Sequence, residues 1–321
     1  MDDSARIATP DTGRLDDAAR AGWLYYVAGN TQDEIARKLG VSRQSAQRLV
    51  SLAVSKRLIK VRLDHPVARC MELGQTLCER FGLKTCEVVP SDPDAPGLLA
   101  GIAIAGAAEM ERVLKSREPK VIGIGTGRAL RACIEYLPQM DCPQHRIVSR
   151  LGNMMSDGSA TPYNVVIRMA ERVQARHYPM PLPVLAGSVE ELRVLHSLEP
   201  VRNSLELCKA ADVTFVGIGQ VDLTAPILLD GFMTAQDVRA VQAADAVGEI
   251  TSWVYDAQGR ILSNGFNSRV ASAPLVQAGE RPVIGIGSGL AKVPAFLGAL
   301  RGRLINGLIT NEDTAEAILL G

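Results

Sequence analysis

A chain of 321 residues, 47% hydrophobic but only 4% aromatic and with 29 glycines, has core enough for two domains and suits an α/β protein built on Val, Ile, Leu, Ala and tight turns. Its formal net charge is zero, which removes a global electrostatic case for nucleic-acid binding and leaves only a local one. No signal peptide opens the chain and no apolar run approaches the ~20 residues of a membrane span. The six cysteines (Cys70, Cys78, Cys86, Cys133, Cys142, Cys208) form no C-x-x-C pair and have no histidines at zinc spacing, so they read as reduced thiols of a cytoplasmic protein with no metal or cofactor.

Residues 1–14 are polar and mixed and read as a flexible lead-in. Leu15 to Ala28 predicts a helix that packs through Leu15, Ala18, Ala19, Trp23, Tyr26 and Val27, and Gly29-Asn30 breaks it. Thr31 to Val50, TQDEIARKLGVSRQSAQRLV, predicts two short helices. Thr31 caps the first in a capping box with Glu34, Gly40 ends it, and Ser42 caps the second. Ile35, Ala36, Leu39, Val41, Ala46, Leu49 and Val50 supply the seam, and small Ala36 and Gly40 let the helices cross closely. Ser42, Arg43, Gln44, Ser45, Gln47 and Arg48 then stay exposed, a set of hydroxyl, amide and guanidinium groups suited to the phosphates and base edges of DNA. Residues 31–65 carry eight Lys/Arg against three acids, the local excess such a module needs. Ile59 to Leu63 alternates apolar and basic residues and predicts a short wing strand, making residues 15–66 a winged-type helix-turn-helix domain.

Val67 to Gly82 predicts a linker helix. Residues 83–321 then alternate strand and helix: strands at Cys86–Val89, Lys120–Ile124 and Arg146–Ser149, helices at Leu98–Leu114, from Arg128, and from Pro162 to Arg176. That alternation predicts a mainly parallel sheet covered by helices. Three apolar strands run into a Gly-x-Gly turn: Val121 to Gly127, Val213 to Gln220 and Val283 to Gly289. Strand carboxyl ends are where open α/β sheets bind ligands, so the three turns together predict a pocket for a small polar or phosphorylated molecule. None completes G-x-G-x-x-G, because Arg128, Asp222 and Leu290 stand where the third glycine belongs, and no Walker A sequence occurs. Nucleotide hydrolysis and hydride transfer are thereby set aside.

The order of helix-turn-helix, VIGIGTGRAL, RLGNMMSDGSATPYNVVIRMAERV, ADVTFVGIGQ, AVGEITSWVYDAQGR and VIGIGSGLAKVPAFLGALRGRLINGLITNEDTAEAIL resembles the SorC family of bacterial sugar-responsive transcriptional regulators, from about Leu15 to the C-terminus. The resemblance implies an effector domain of the sugar-phosphate isomerase/deaminase type, usually tetrameric, that recognises a sugar, polyol or sugar phosphate and controls a carbohydrate or polyol operon. Carried over by position, it implies effector contacts at Gly125, Thr126, Gly127, Arg128, Arg150, Asn164, Glu249 and Lys292. Arg128, Arg150 and Lys292 suit an anion, while Asn164 and Glu249 suit hydroxyls. Family members commonly carry threonine where this chain has Ala129, which removes a hydroxyl able to hold a phosphate. A homo-oligomer is implied, since one helix-turn-helix contacts only a half-site. The rival is a sugar-phosphate isomerase or deaminase, with His177, His196, Asp222 and Glu249 as acid/base candidates; His65 and His145 read as loop residues.

Overall fold

The computed structural model describes residues 10–56, 58–59, 67–92, 94–95, 97–263 and 265–321, and it divides into two compact units, Met1–His65 and Pro66–Gly321. The first unit holds α1 (Pro10–Tyr26), α2 (Gln32–Leu39) and α3 (Arg43–Ser55). Helix α1 starts at Pro10 rather than Leu15, so part of the predicted lead-in is helical; a proline tolerates the first turn because its missing N–H is unpaired there anyway. Its packing face also differs from the predicted one. Ala18, Ala21 and Gly22 are buried, whereas Trp23, Tyr26 and Val27 are exposed. The seam uses small residues because α1 lies close on α3: a Cβ at Gly22 would stand 2.8 Å from Ala53 Cβ. The wing strand predicted at Ile59–Leu63 falls mainly outside the described residues, as does His65.

The second unit runs α4 (Ala68–Phe81), β1 (Thr85–Val89), α5 (Ala100–Leu114), β2 (Val121–Ile124), α6 (Arg128–Tyr136), β3 (Arg146–Met154), α7 (Val165–Val173), β4 (Arg176–Pro183), α8 (Val189–Ser197), α9 (Glu199–Ala210) and β5 (Val213–Gly217). It continues with β6 (Gly219–Gln220), α10 (Pro226–Leu229), α11 (Ala235–Gln242), β7 (Gly248–Ile250), β8 (Trp253–Tyr255), β9 (Val283–Ile286), α12 (Val293–Arg301), β10 (Gly307–Asn311) and α13 (Glu312–Leu320). Seven strands pair in parallel in the order β1-β10-β9-β5-β2-β3-β4, and β6-β7-β8 form a small antiparallel sheet.

The central strands are apolar on both faces because helices cover both. Ile122, Ile124, Phe215, Ile284 and Ile286 pack with Met110, Leu130 and Met169 from α5, α6 and α7. The alternate positions Val121 and Val148 meet Val201 and Cys208 of α9, and Val216 and Leu308 meet Phe296 and Leu300 of α12. The predicted linker helix α4 shares that last cluster through Cys70, Leu73 and Leu77. Helix α7 is shorter than predicted. It begins at Val165 and ends at Val173, and the capping Gln174, at φ 50°, turns the chain, so Arg176 opens β4 instead of closing a helix. With prolines at 179, 181 and 183, β4 lies at the sheet edge, where a strand tolerates missing donors.

Strand order reverses between β2 and β5: the chain steps outward from β2 to β3 and β4, then returns to the other side of β2. This switch point separates the crossovers at the carboxyl ends of β2 and β5, and a crevice opens there.

Candidate DNA-reading helix and effector pocket

In the first unit, the Thr31 hydroxyl accepts from the Glu34 N–H at 3.3 Å and the Glu34 carboxylate accepts from the Thr31 N–H at 2.7 Å, which completes the capping box. Gly40, at φ 66°, closes α2 in the left-handed region; nothing lies within 4 Å of where its Cβ would be, so its role is the cap and not a close helix crossing. The Ser42 hydroxyl accepts from the Ser45 N–H at 3.1 Å, a cap worth about 1 kcal/mol, and donates to the Ser45 hydroxyl at 3.0 Å. Ala46 and Val50 point into the unit, while Arg43, Gln44, Gln47 and Arg48 are exposed. At about 100° per residue these four occupy a sector of roughly 140°, one stripe along α3. Ser42 and Ser45 stand at its N-terminal end, tied up in the cap.

In the second unit, the three predicted turns follow β2, β5 and β9, which are adjacent in the sheet, and their residues wall a single cavity of about 410 Å³. Gly127 at φ 118° and Gly289 at φ 122° each stand immediately before a helical turn, at Arg128 and at Leu290. Neither turn has a side-chain cap, so the first N–H groups of α6 are left for a ligand. Glu249 enters from β7 and its carboxylate occupies the space a side chain at Gly219 would fill, so the second turn is glycine because the acid lies over it.

Thr126, Gly127, Arg128, Glu249 and Lys292 of the predicted set line this cavity. Gly125 and Asn164 stand behind the first turn, on a recess of about 20 Å³ that they share with Thr126. Arg150 is not brought to the pocket. Its neighbours Ser149 and Leu151 face the α5–α7 side, so strand alternation turns Arg150 toward α9. There it donates to Pro274 O at 2.8 Å and Cys208 O at 3.5 Å beside a separate cavity.

The charged groups of the pocket interact with one another. Burial pushes the Glu249 carboxyl above its ordinary value, opposed by the Ser252 N–H at 2.9 Å and the charge of Lys292. Burial, together with the charge of Arg128, pushes Lys292 down, opposed by Glu249. The Arg128 guanidinium donates to the Tyr163 hydroxyl at 3.2 Å and to Asp230 at 3.2 Å, and Tyr163 donates to the other Asp230 oxygen. Thr251 and Ser252, at φ 49° and 70°, turn the β7–β8 hairpin at the pocket wall with two consecutive left-handed residues, neither of them glycine.

Sequence reasoning missed Tyr163, Asp230, Gln220, Thr251, Ser252 and Ser288. Tyr163 sits next to Asn164 in a recognised segment and was within reach of it; Asp230 follows an ordinary Leu-Leu and carries no motif. Of the acid/base candidates only Glu249 lines the pocket. His177 lies at the opposite end of the sheet beside Ile147, His196 contacts Ala271 O at 3.2 Å, and Asp222 accepts from Thr224. His145 is fully buried, its Nδ1 accepting from the Lys120 N–H at 3.1 Å and its Nε2 3.0 Å from Leu114 O, which makes it a structural histidine. Burial raises all six thiols, Cys86 and Cys133 to about 12 and Cys70 and Cys208 to about 11, which disfavours the reactive thiolate. No cluster of metal-ligating side chains occurs among the described residues, and no helix among them is long and apolar enough to cross a membrane.

Comparison with known proteins bears on the same elements. The Sugar-bind family of sugar-binding domains matches residues 65–320. The erythritol catabolism regulatory protein EryD of Brucella abortus is 33% identical over 94% of this chain and 96% of its own length. The transcriptional regulator LsrR of an Enterobacter species is 29% identical over 94% of this chain and 92% of its own. The crystal structure of the full-length sorbitol operon regulator SorC from Klebsiella pneumoniae superposes with a TM-score of 0.70 at 27% identity, covering 96% of this chain and 99% of that one. All three are named as regulators and none as an enzyme, which decides against the isomerase or deaminase alternative. With that domain match and that identity along nearly the whole of EryD, the chain belongs to the SorC family of sugar-responsive bacterial transcriptional regulators.

Proposed function

We propose that the cavity at the ends of β2, β5 and β9 is the effector site of this regulator and that α3 is its DNA-reading helix. The observation that carries the first part is the convergence of three glycine turns from adjacent strands on one pocket, walled by Lys292, Glu249 and several hydroxyl and amide groups. A ligand of sugar or polyol size matches its volume of about 410 Å³ and its mixture of apolar wall and convergent polar groups. For the second part, the exposed Arg43, Gln44, Gln47 and Arg48 form a stripe opposite the buried seam, and Ser42 caps the helix end that approaches phosphate. The protein acts in the cytoplasm as a homo-oligomer, a tetramer on the family pattern, with paired α3 helices on two half-sites of an operator for carbohydrate or polyol catabolism. The effector shifts the balance between assemblies that fit that spacing and assemblies that do not.

Fluorescence anisotropy with a labelled duplex from the gene's own upstream region, against random duplex, tests this. Specific binding should respond to a small carbohydrate or polyol, and Gln44→Ala should weaken specific binding by roughly 1–3 kcal/mol while sparing random DNA. Equal affinity for both duplexes would remove the DNA-reading assignment. An equal loss on both in the variant would make Gln44 a phosphate contact.

A further inference from the structure

The pocket brings together two positive groups, Arg128 and Lys292, and two negative ones, Asp230 and Glu249, among the described residues. Its charge is therefore balanced without a ligand. Arg128, at the uncapped start of α6, is already engaged: its guanidinium donates to Asp230 and to Tyr163, both at 3.2 Å. Tyr163 in turn donates to Asp230, and the Asp230 side chain is only 17% exposed. A short helix such as α6 presents about half a positive charge at its N-terminus, and that field fades within the first turn. Asp230 cancels the charge of Arg128, so only that partial charge is left at the first turn for an anion. Lys292 and Glu249 lie in each other's field, and each opposes the shift that burial imposes on the other.

The remaining polar wall is uncharged. Gln220, Thr224, Thr251, Ser252 and Ser288 supply hydroxyl and amide groups, and Gln220 Oε1 and Thr251 Oγ1 are buried without a hydrogen-bond partner. A ligand hydroxyl supplies the donor that Gln220 Oε1 lacks, which a phosphate group, being all acceptors, does not; the Thr251 hydroxyl can serve a ligand as donor or acceptor.

We propose that Asp230, by holding Arg128 and Tyr163 at the pocket wall, makes this pocket select an uncharged polyhydroxylated effector and reject its phosphate ester. Asp230 is then a specificity-determining residue, and the inference rests on the effector-site reading above. Calorimetric titration of the full-length protein with C4 to C6 alditols, the matching aldoses, and the terminal phosphates of both tests it. At least one uncharged compound should bind, with its phosphate weaker by about tenfold or more. Asp230→Asn should move that ratio toward the phosphate by about tenfold. Asp230→Ala should do the same, and the wild-type ratio stands without either variant. A phosphate that binds wild type as tightly as its parent compound, with binding lost on Lys292→Met, overturns the inference and leaves the effector site intact. An unchanged ratio in both Asp230 variants overturns the role of Asp230. Failure of every compound in both classes overturns the effector-site reading, and the inference with it.

Discussion

Gly127→Ala isolates the backbone requirement of the first glycine turn. At φ 118° and ψ 172°, Gly127 occupies a region that residues with a Cβ scarcely enter, and no atom lies within 4 Å of where that Cβ would stand. The substitution therefore creates no clash, and its whole cost is conformational, about 1–3 kcal/mol. In a unit of this size each kcal/mol lowers the melting temperature by about 2–4 °C, so a fall of roughly 2–12 °C is expected. Gly279→Ala is the matched control, because its Cβ also meets nothing within 4 Å and its φ is not positive. That change should be neutral or stabilising by about 0.4–1 kcal/mol. Thermal denaturation of both variants with and without effector reads the two effects separately. Gly127→Ala should also weaken effector binding, because relaxing the turn re-aims the first N–H groups of α6. If it melts with the control and binds effector as wild type does, the turn does not hold those groups in place, and the account of the pocket fails.

Two further outcomes follow from the same geometry. Arg150→Met removes charged hydrogen bonds to Pro274 O and Cys208 O and should cost about 1.5–3 kcal/mol of stability while leaving effector affinity within about twofold. A selective loss of effector binding in a folded Arg150 variant would return that residue to the site. The pocket acid sets a pH dependence. Burial holds Glu249 above its ordinary 4.5, so the folded state binds more protons than the unfolded state as pH rises from that value through the raised one, and stability falls across that window. Glu249→Gln should flatten this acid-side slope in melting temperature against pH; an unchanged slope would assign it to other groups.

Much of this protein was legible in its sequence because the signals were local. The capping box of Thr31 and Glu34, the Ser42 cap and the Gly40 stop are contacts within four residues, and the chain forms them as read. The apolar runs ahead of Gly127, Gly219 and Gly289 marked β2, β5 and β9 for the same reason: a strand buried on both faces leaves a continuous apolar imprint. Tertiary structure decided what local rules do not encode. The side on which α1 packs was set by how close α3 comes, which favoured Ala18, Ala21 and Gly22 over the larger Trp23 and Tyr26. Edge placement made a proline-rich segment into β4. Which charges share a pocket depended on strand order and alternation. Arg150, on β3, turns toward α9, while Asp230, 102 residues from Arg128, closes on its guanidinium. The glycine turns are a property of the sequence. Their convergence on one cavity, and the balanced charge inside it, belong to the fold, because contacts across such separations are set by packing and not by neighbours along the chain.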